Sequence, residues 1–227
     1  MPTASPTERL AEVRARIADA CRACGRPPDA VRLVAVGKSH PPAALRALAA
    51  AGQHAFAENR VQEGMAKRTR LADLDLEWHL IGPLQSNKCR DAAQYFDWLQ
   101  SLDRAKLVPL LAGHREAARP LQVLVQVKID DEATKSGAAA AEVPALADTV
   151  AAAAALSLRG LMTIPAPGPP AARRRAFATL RTLFERMQRD HPGMDTLSMG
   201  MSDDFELAIA EGATMVRVGT ALFGFRA

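Results

Sequence analysis

Lys38 stands where an apolar run ends. The segment Val31-Arg32-Leu33-Val34-Ala35-Val36 has the near-continuous, β-branched hydrophobicity of a strand buried on both faces, and Gly37-Lys38-Ser39-His40-Pro41 follows at once. Gly37 is expected to let the backbone turn, and Pro41-Pro42 to open a helix. A lysine at such a boundary is held by the strand and points beyond the sheet, the placement needed to capture a carbonyl compound as a Schiff base. A solvated lysine capping a strand has the same local sequence, so the other strand ends must decide.

Those ends carry Glu58-Asn59-Arg60, Gly82-Pro83-Leu84-Gln85-Ser86-Asn87, Thr134-Lys135-Ser136-Gly137, Gly200-Met201-Ser202-Asp203-Asp204 and Arg217-Val218-Gly219-Thr220. Ser202 offers a hydroxyl beside a helix start, where Asp203 and Glu206 have the spacing of a capping box. Gly219-Thr220 offers close backbone approach and a second hydroxyl, and Arg217 a fixed positive charge, unless it is a surface ion-pair partner. Backbone N–H groups and hydroxyls at helix starts are a phosphate cradle. A lysine facing such a cradle describes a site for pyridoxal phosphate, with the aldehyde on Lys38 and the phosphate on Ser202, Gly219 and Thr220. Asn59 is placed either to bond the ring hydroxyl or to cap the helix that begins at Val61.

The elements that must position these residues alternate from end to end. Strands are expected at 31–36, 54–58, 76–81, 98–102, 121–129, 158–164, 196–201 and 214–218. Helices are expected at 41–51, 61–74, 86–96, 104–118, 141–156, 171–190 and 204–211, with one more at 6–24 before the first strand. Strict alternation demands parallel strands, and eight such units in 227 residues close into a (β/α)8 barrel spanning 1–227 as one domain. An open doubly wound sheet lacks its signature, because no Gly-x-Gly-x-x-Gly follows the first strand.

Composition excludes several other classes. The apolar share of 48% and charged share of 24% are ordinary for a soluble globular chain, and no run is long enough to span a bilayer. The start of the chain is polar rather than signal-like, so a cytoplasmic protein is expected. The net charge of +4 does not imply nucleic acid: only six of the 29 cations are lysine, and the arginines lie scattered among acids. The dense run Arg173-Arg174-Arg175 reads as a solvated helix face. Three cysteines make no disulfide framework, and Cys21-x-x-Cys24 falls inside a helical pattern. No metal-ligand spacing is present.

The chain resembles the pyridoxal phosphate homeostasis protein family. The resemblance rests on Val34-Ala35-Val36-Gly37-Lys38, Phe56-Ala57-Glu58-Asn59, His79-Leu80-Ile81-Gly82-Pro83-Leu84-Gln85-Ser86-Asn87-Lys88, Lys135-Ser136-Gly137, Gly160-Leu161-Met162, Leu197-Ser198-Met199-Gly200-Met201-Ser202, and Val216-Arg217-Val218-Gly219-Thr220-Ala221-Leu222-Phe223-Gly224. It implies a barrel similar to the N-terminal domain of alanine racemase, with pyridoxal 5′-phosphate as an internal aldimine on Lys38. It also implies Ser202, Gly219 and Thr220 at the phosphate, Asn59 near the ring, and Arg217 facing the pyridine nitrogen. Where the family often reads Val-Ser-Lys-Thr-Lys-Pro, this chain reads Val36-Gly37-Lys38-Ser39-His40-Pro41. His40 thus replaces a second lysine, and Lys135 becomes the other amine near the rim, or a solvated loop residue.

A carrier is the expectation, because arginine is a donor that stays charged and would keep the ring nitrogen unprotonated, weakening the electron sink. Alanine racemase also draws a tyrosine from a second domain across its dimer. Here the sequence ends soon after the eighth strand, and its one tyrosine, Tyr95, is expected on an outer helix. The resemblance implies buffering or delivery of the cofactor, with apo-enzymes and free amino acids as candidate partners; a monomer is the simplest expectation, since the sequence shows no partner domain. A weak racemase or lyase with His79 or a loop residue as base, or a barrel for another phosphorylated metabolite, is the alternative.

Overall fold

The computed structural model describes residues 5–129 and 136–224. Helix α1 (Pro6–Ala23) opens on a capping box: the Ser5 hydroxyl accepts from the Glu8 N–H at 3.2 Å, and the Glu8 carboxylate accepts from the Ser5 N–H at 2.7 Å. Its buried stripe is Leu10, Val13, Ile17 and Cys21, on helical spacing. Then follow β1 (Arg32–Val36), α2 (Pro42–Ala50), β2 (Ala55–Glu58), α3 (Val61–Arg70), β3 (Glu77–Leu80), α4 (Cys89–Tyr95), β4 (Trp98–Leu102), α5 (Leu107–Ala112) and β5 (Leu121–Lys128). After these come β6 (Ala138–Ala139), α6 (Val143–Ala151), β7 (Leu156–Met162), α7 (Pro170–Asp190), β8 (Thr196–Ser198), α8 (Phe205–Ala210), β9 (Met215–Val218) and α9 (Thr220–Phe223).

Eight strands pair in parallel around a closed ring, β1-β2-β3-β4-β5-β7-β8-β9 and back to β1. The two-residue β6 is an addition that the sequence reading did not contain; it pairs with the end of β5 outside the ring. The expected helix over 104–118 contracts to α5, which ends at Gly113. Along β1, Val34 and Val36 face the barrel interior with Ala55, Ala57, Trp98, Leu124, Met162 and Met215, whereas Leu33 and Ala35 pack under the helices. Both faces are therefore buried, which is why the strands read as unbroken apolar runs.

Helix α1 ties down the last two βα units. Arg16 pairs with Glu206 of α8 at 2.6 Å, Arg9 donates to the Leu222 carbonyl of α9 at 2.7 Å, and Arg26 donates to the Ile209 carbonyl at 3.0 Å. The short helices that follow β8 and β9 are thus braced from outside. Two arginines of the 173–175 run also make interhelical contacts rather than forming only a solvated face: Arg173 reaches Asp204, and Arg174 reaches Glu211.

Candidate functional site

A cavity of about 530 Å³ opens at the C-terminal mouth of the barrel. Lys38, Ser202, Arg217, Gly219 and Thr220, drawn from three different strand ends, all line it. Its size is that of a small-cofactor site. Ser202 Oγ lies 3.4 Å from the Gly219 N–H, so the hydroxyl after β8 and the backbone after β9 meet at one point. Asn59 follows β2 at the same mouth, half-buried, and is not part of the lining. The helix-capping position before Val61 belongs to Arg60, without a side-chain cap, so Asn59 is not the N-cap. Lys135 lies outside the described residues.

Lys38 itself is exposed and sits in a turn just past β1 rather than on the strand. The turn closes through the His40 N–H on the Gly37 carbonyl at 3.0 Å. Ser39, not Gly37, takes the left-handed backbone, at φ 64°, the one non-glycine to do so among the described residues. His40 lines the cavity and stacks on Phe223 of α9, ring centres 4.5 Å apart, joining the lysine turn to the helix after β9.

The expected capping box of Asp203 and Glu206 does not form. Asp204 occupies the cap of α8, and its carboxylate accepts from the Met201 N–H at 2.7 Å, folding the loop that carries Ser202; Glu206 is instead engaged by Arg16. Asp203 also lines the cavity.

Arg217 is buried, at 2% exposure, and among the described residues it has no carboxylate within ion-pair distance. Burial brings its pKa down to about 10, so it stays charged at neutral pH. Its guanidinium is held by a chain of side chains through the barrel interior, which the sequence reading missed. Arg217 Nη2 donates to the Thr163 carbonyl at 2.9 Å, and Nη1 to Ser198 Oγ at 2.6 Å. Ser198 donates to Gln100 Oε1 at 2.7 Å, and Gln100 Nε2 donates to His79 Nδ1 at 2.9 Å. His79 Nε2 then donates to Glu77 Oε1 at 2.5 Å, and Arg32 completes the chain at 2.7 Å from the same oxygen. From Arg217 to Glu77 each group donates to the next, and Arg32 donates to the same carboxylate from the other side. The chain thus links the buried guanidinium to a carboxylate at the far end of the barrel that Arg32 also neutralises.

This chain corrects the reading of His79 as a base. The ring is fully buried, both nitrogens are bonded, and burial holds its pKa below the usual value, so it is a neutral link. Burial alone would raise the Glu77 pKa, but the His79 ring and Arg32 outweigh it and hold the carboxyl at about 2. Both groups make acid destabilising. Below about pH 6.5 the unfolded chain protonates a histidine that the folded barrel keeps neutral, and the Glu77 contribution, present above about 4.5, is lost on the way to 2. Urea melts should therefore show stability falling by about 1 kcal/mol from about pH 7.5 to about 5.5, and His79→Gln should flatten that slope while lowering stability throughout. An identical slope in the wild type and His79→Gln would contradict a neutral His79, since the other titrating groups, Glu58 among them, are common to both.

Comparison with known proteins agrees with this geometry. A family model described as "Alanine racemase, N-terminal domain" matches residues 9–227. The pyridoxal phosphate homeostasis protein of Pseudomonas aeruginosa is 52% identical over 221 residues, covering 96% of this chain and 95% of that protein. The protein of the same name from Escherichia coli K12 is 47% identical over 222 residues, covering 96% and 95%. The structure of PipY from Synechococcus elongatus with pyridoxal phosphate bound is 42% identical, with a TM-score of 0.84 over 96% of this chain and 100% of that one. The closed parallel barrel, the cavity at its C-terminal mouth and these near full-length matches place the chain in the alanine racemase N-terminal domain family, among the pyridoxal phosphate homeostasis proteins.

Proposed function

We propose that this chain, acting as one barrel domain, binds pyridoxal 5′-phosphate through a Schiff base on Lys38 and buffers or delivers it in the cytoplasm, without catalytic turnover. The observation that carries this reading is the convergence of Lys38, Ser202, Gly219, Thr220 and Arg217 on one cavity. The PipY structure with the cofactor bound and the names of the relatives support it. Among the described residues no helix is long and apolar enough to cross a membrane.

The residues fit the group. Bound there, the cofactor would supply an aldehyde, the carbonyl that the Lys38 amine would capture with loss of water and no redox change. The Ser202 and Thr220 hydroxyls and the Gly219 N–H would hold the phosphate. Arg217 would meet the pyridine nitrogen as a permanent donor, and Asn59, at the same mouth but outside the lining, would bond the ring hydroxyl from its edge. An electron sink works best with a protonated ring nitrogen, and Arg217 withholds that proton. Tyr95, on α4, does not line the cavity, so no tyrosine stands there as a second acid–base group.

The test is the absorption spectrum of the purified protein before and after borohydride, with peptide mapping, followed by amino acids in D2O. The expected result is an imine band trapped on Lys38 and no exchange of the amino-acid α-hydrogen. Exchange at a steady rate would make the protein an enzyme. A colourless protein that takes up no added cofactor would defeat the reading altogether.

A further inference from the structure

We infer that Glu58 and Lys67 form a buried clamp that positions the Lys38 turn for imine formation. The inference rests on the proposed role of Lys38. Lys67 lies on α3, where a cation in the last turn would normally be solvated, yet its side chain is 9% exposed. Its ammonium donates to Glu58 Oε1 at 2.7 Å and to the Gly37 carbonyl at 2.8 Å. Glu58, at the end of β2, is fully buried. Desolvation pushes its pKa up against the pull of Lys67, and its Oε2 has no hydrogen-bond partner.

Gly37 is the pivot. Its N–H continues the ladder to the Ala57 carbonyl at 2.9 Å, while its carbonyl accepts both Lys67 and the His40 N–H that closes the lysine turn. A Cβ here would stand 2.8 Å from Glu58 Oε1 and 3.1 Å from Leu45, so only glycine lets the carboxylate lie this close. The turn beyond the pivot stores strain, because Ser39 is in the left-handed region, which is disfavoured for a residue with a Cβ. Such backbone persists only where its surroundings over-determine it. The clamp supplies that: one ammonium fixes the carbonyl next to the reactive lysine, and one carboxylate balances its charge. A buried ion pair contributes little to stability compared with an apolar pair of the same size, so its retention calls for another role. Lys67, with its nitrogen committed to two acceptors, is not itself the imine-forming amine.

The experiment is the double variant Glu58→Met/Lys67→Met, which removes both charges and leaves none buried alone. Two probes separate positioning from folding: pyridoxal 5′-phosphate, which reports imine formation, and pyridoxine 5′-phosphate, which has an alcohol in place of the aldehyde and reports phosphate and ring binding alone. The variant should melt close to the wild type, bind pyridoxine phosphate within about twofold, and form the imine about tenfold more slowly. Imine formation at the wild-type rate, or equal loss with both probes, would overturn the clamp. If the double variant does not fold, Gly37→Ala gives the same readouts, since it displaces the carboxylate without demanding a new φ. A wild type that itself forms no imine would instead condemn the reading of Lys38, and the two failures are distinguishable.

Discussion

Lys38→Ala should abolish the imine band and the borohydride-trapped adduct completely, while changing stability by no more than about 0.5 kcal/mol. The stability half follows from placement: the side chain is exposed, in a turn, at a backbone conformation alanine tolerates. The chemical half follows from elimination at the cavity. Among the described residues Lys38 is the one lysine in the lining, and Lys67 is buried and bonded twice. Lys38→Arg discriminates further, because it keeps a cation at the mouth but cannot form a neutral imine with an aldehyde. If Lys38→Arg bound pyridoxal phosphate as the wild type does, Lys38 would be a plain phosphate partner and the barrel a site for some other phosphorylated metabolite. Loss in both variants assigns the lysine its covalent role.

The barrel was legible because each strand is buried on two faces. That pressure leaves short apolar runs that a reader can separate from the helices between them, and the expected 31–36 strand differs from β1 by a single residue at its start. That Lys38, Ser202, Arg217, Gly219 and Thr220 would share one cavity was legible for a related reason: in a parallel barrel, all strand ends emerge at one mouth. What stayed hidden was polarity inside the barrel. A lone His79, Gln100 or Ser198 in a strand looks like an ordinary outward residue, and only the closed ring brings their side chains into one chain. Lys67 was hidden by the same logic, since its partners, Glu58 and Gly37, come from β2 and the end of β1 rather than from its own helix. The chain does turn after Gly37 as expected, but the sequence did not reveal that this glycine also admits a buried carboxylate or that Ser39 carries the left-handed conformation.

Gly160→Ala should be the most damaging single methyl addition in the protein. Gly160 lies in β7 at φ 154°, opposite Thr196 of β8 and beside a register shift against β5 between Val123 and Leu124. A Cβ there would sit 1.8 Å from the Thr196 carbonyl oxygen and 2.7 Å from its carbon. Those are backbone atoms in a closed ring, so no rotamer change relieves the overlap, and the strand pair must part. The cost should exceed about 4 kcal/mol, a large share of the stability of an ordinary domain. The effect reaches the site as well, because β8 carries Ser198, on which the buried Arg217 guanidinium rests. Thermal melts followed by near-ultraviolet circular dichroism should show a depressed or absent cooperative transition, with loss of cofactor uptake in whatever folds. Gly193→Ala is the control: nothing lies within 4 Å of its added methyl, and its melt should match the wild type. Equal stability of the two variants would mean that β7 and β8 do not pair as described, and with that the support for Arg217 would go.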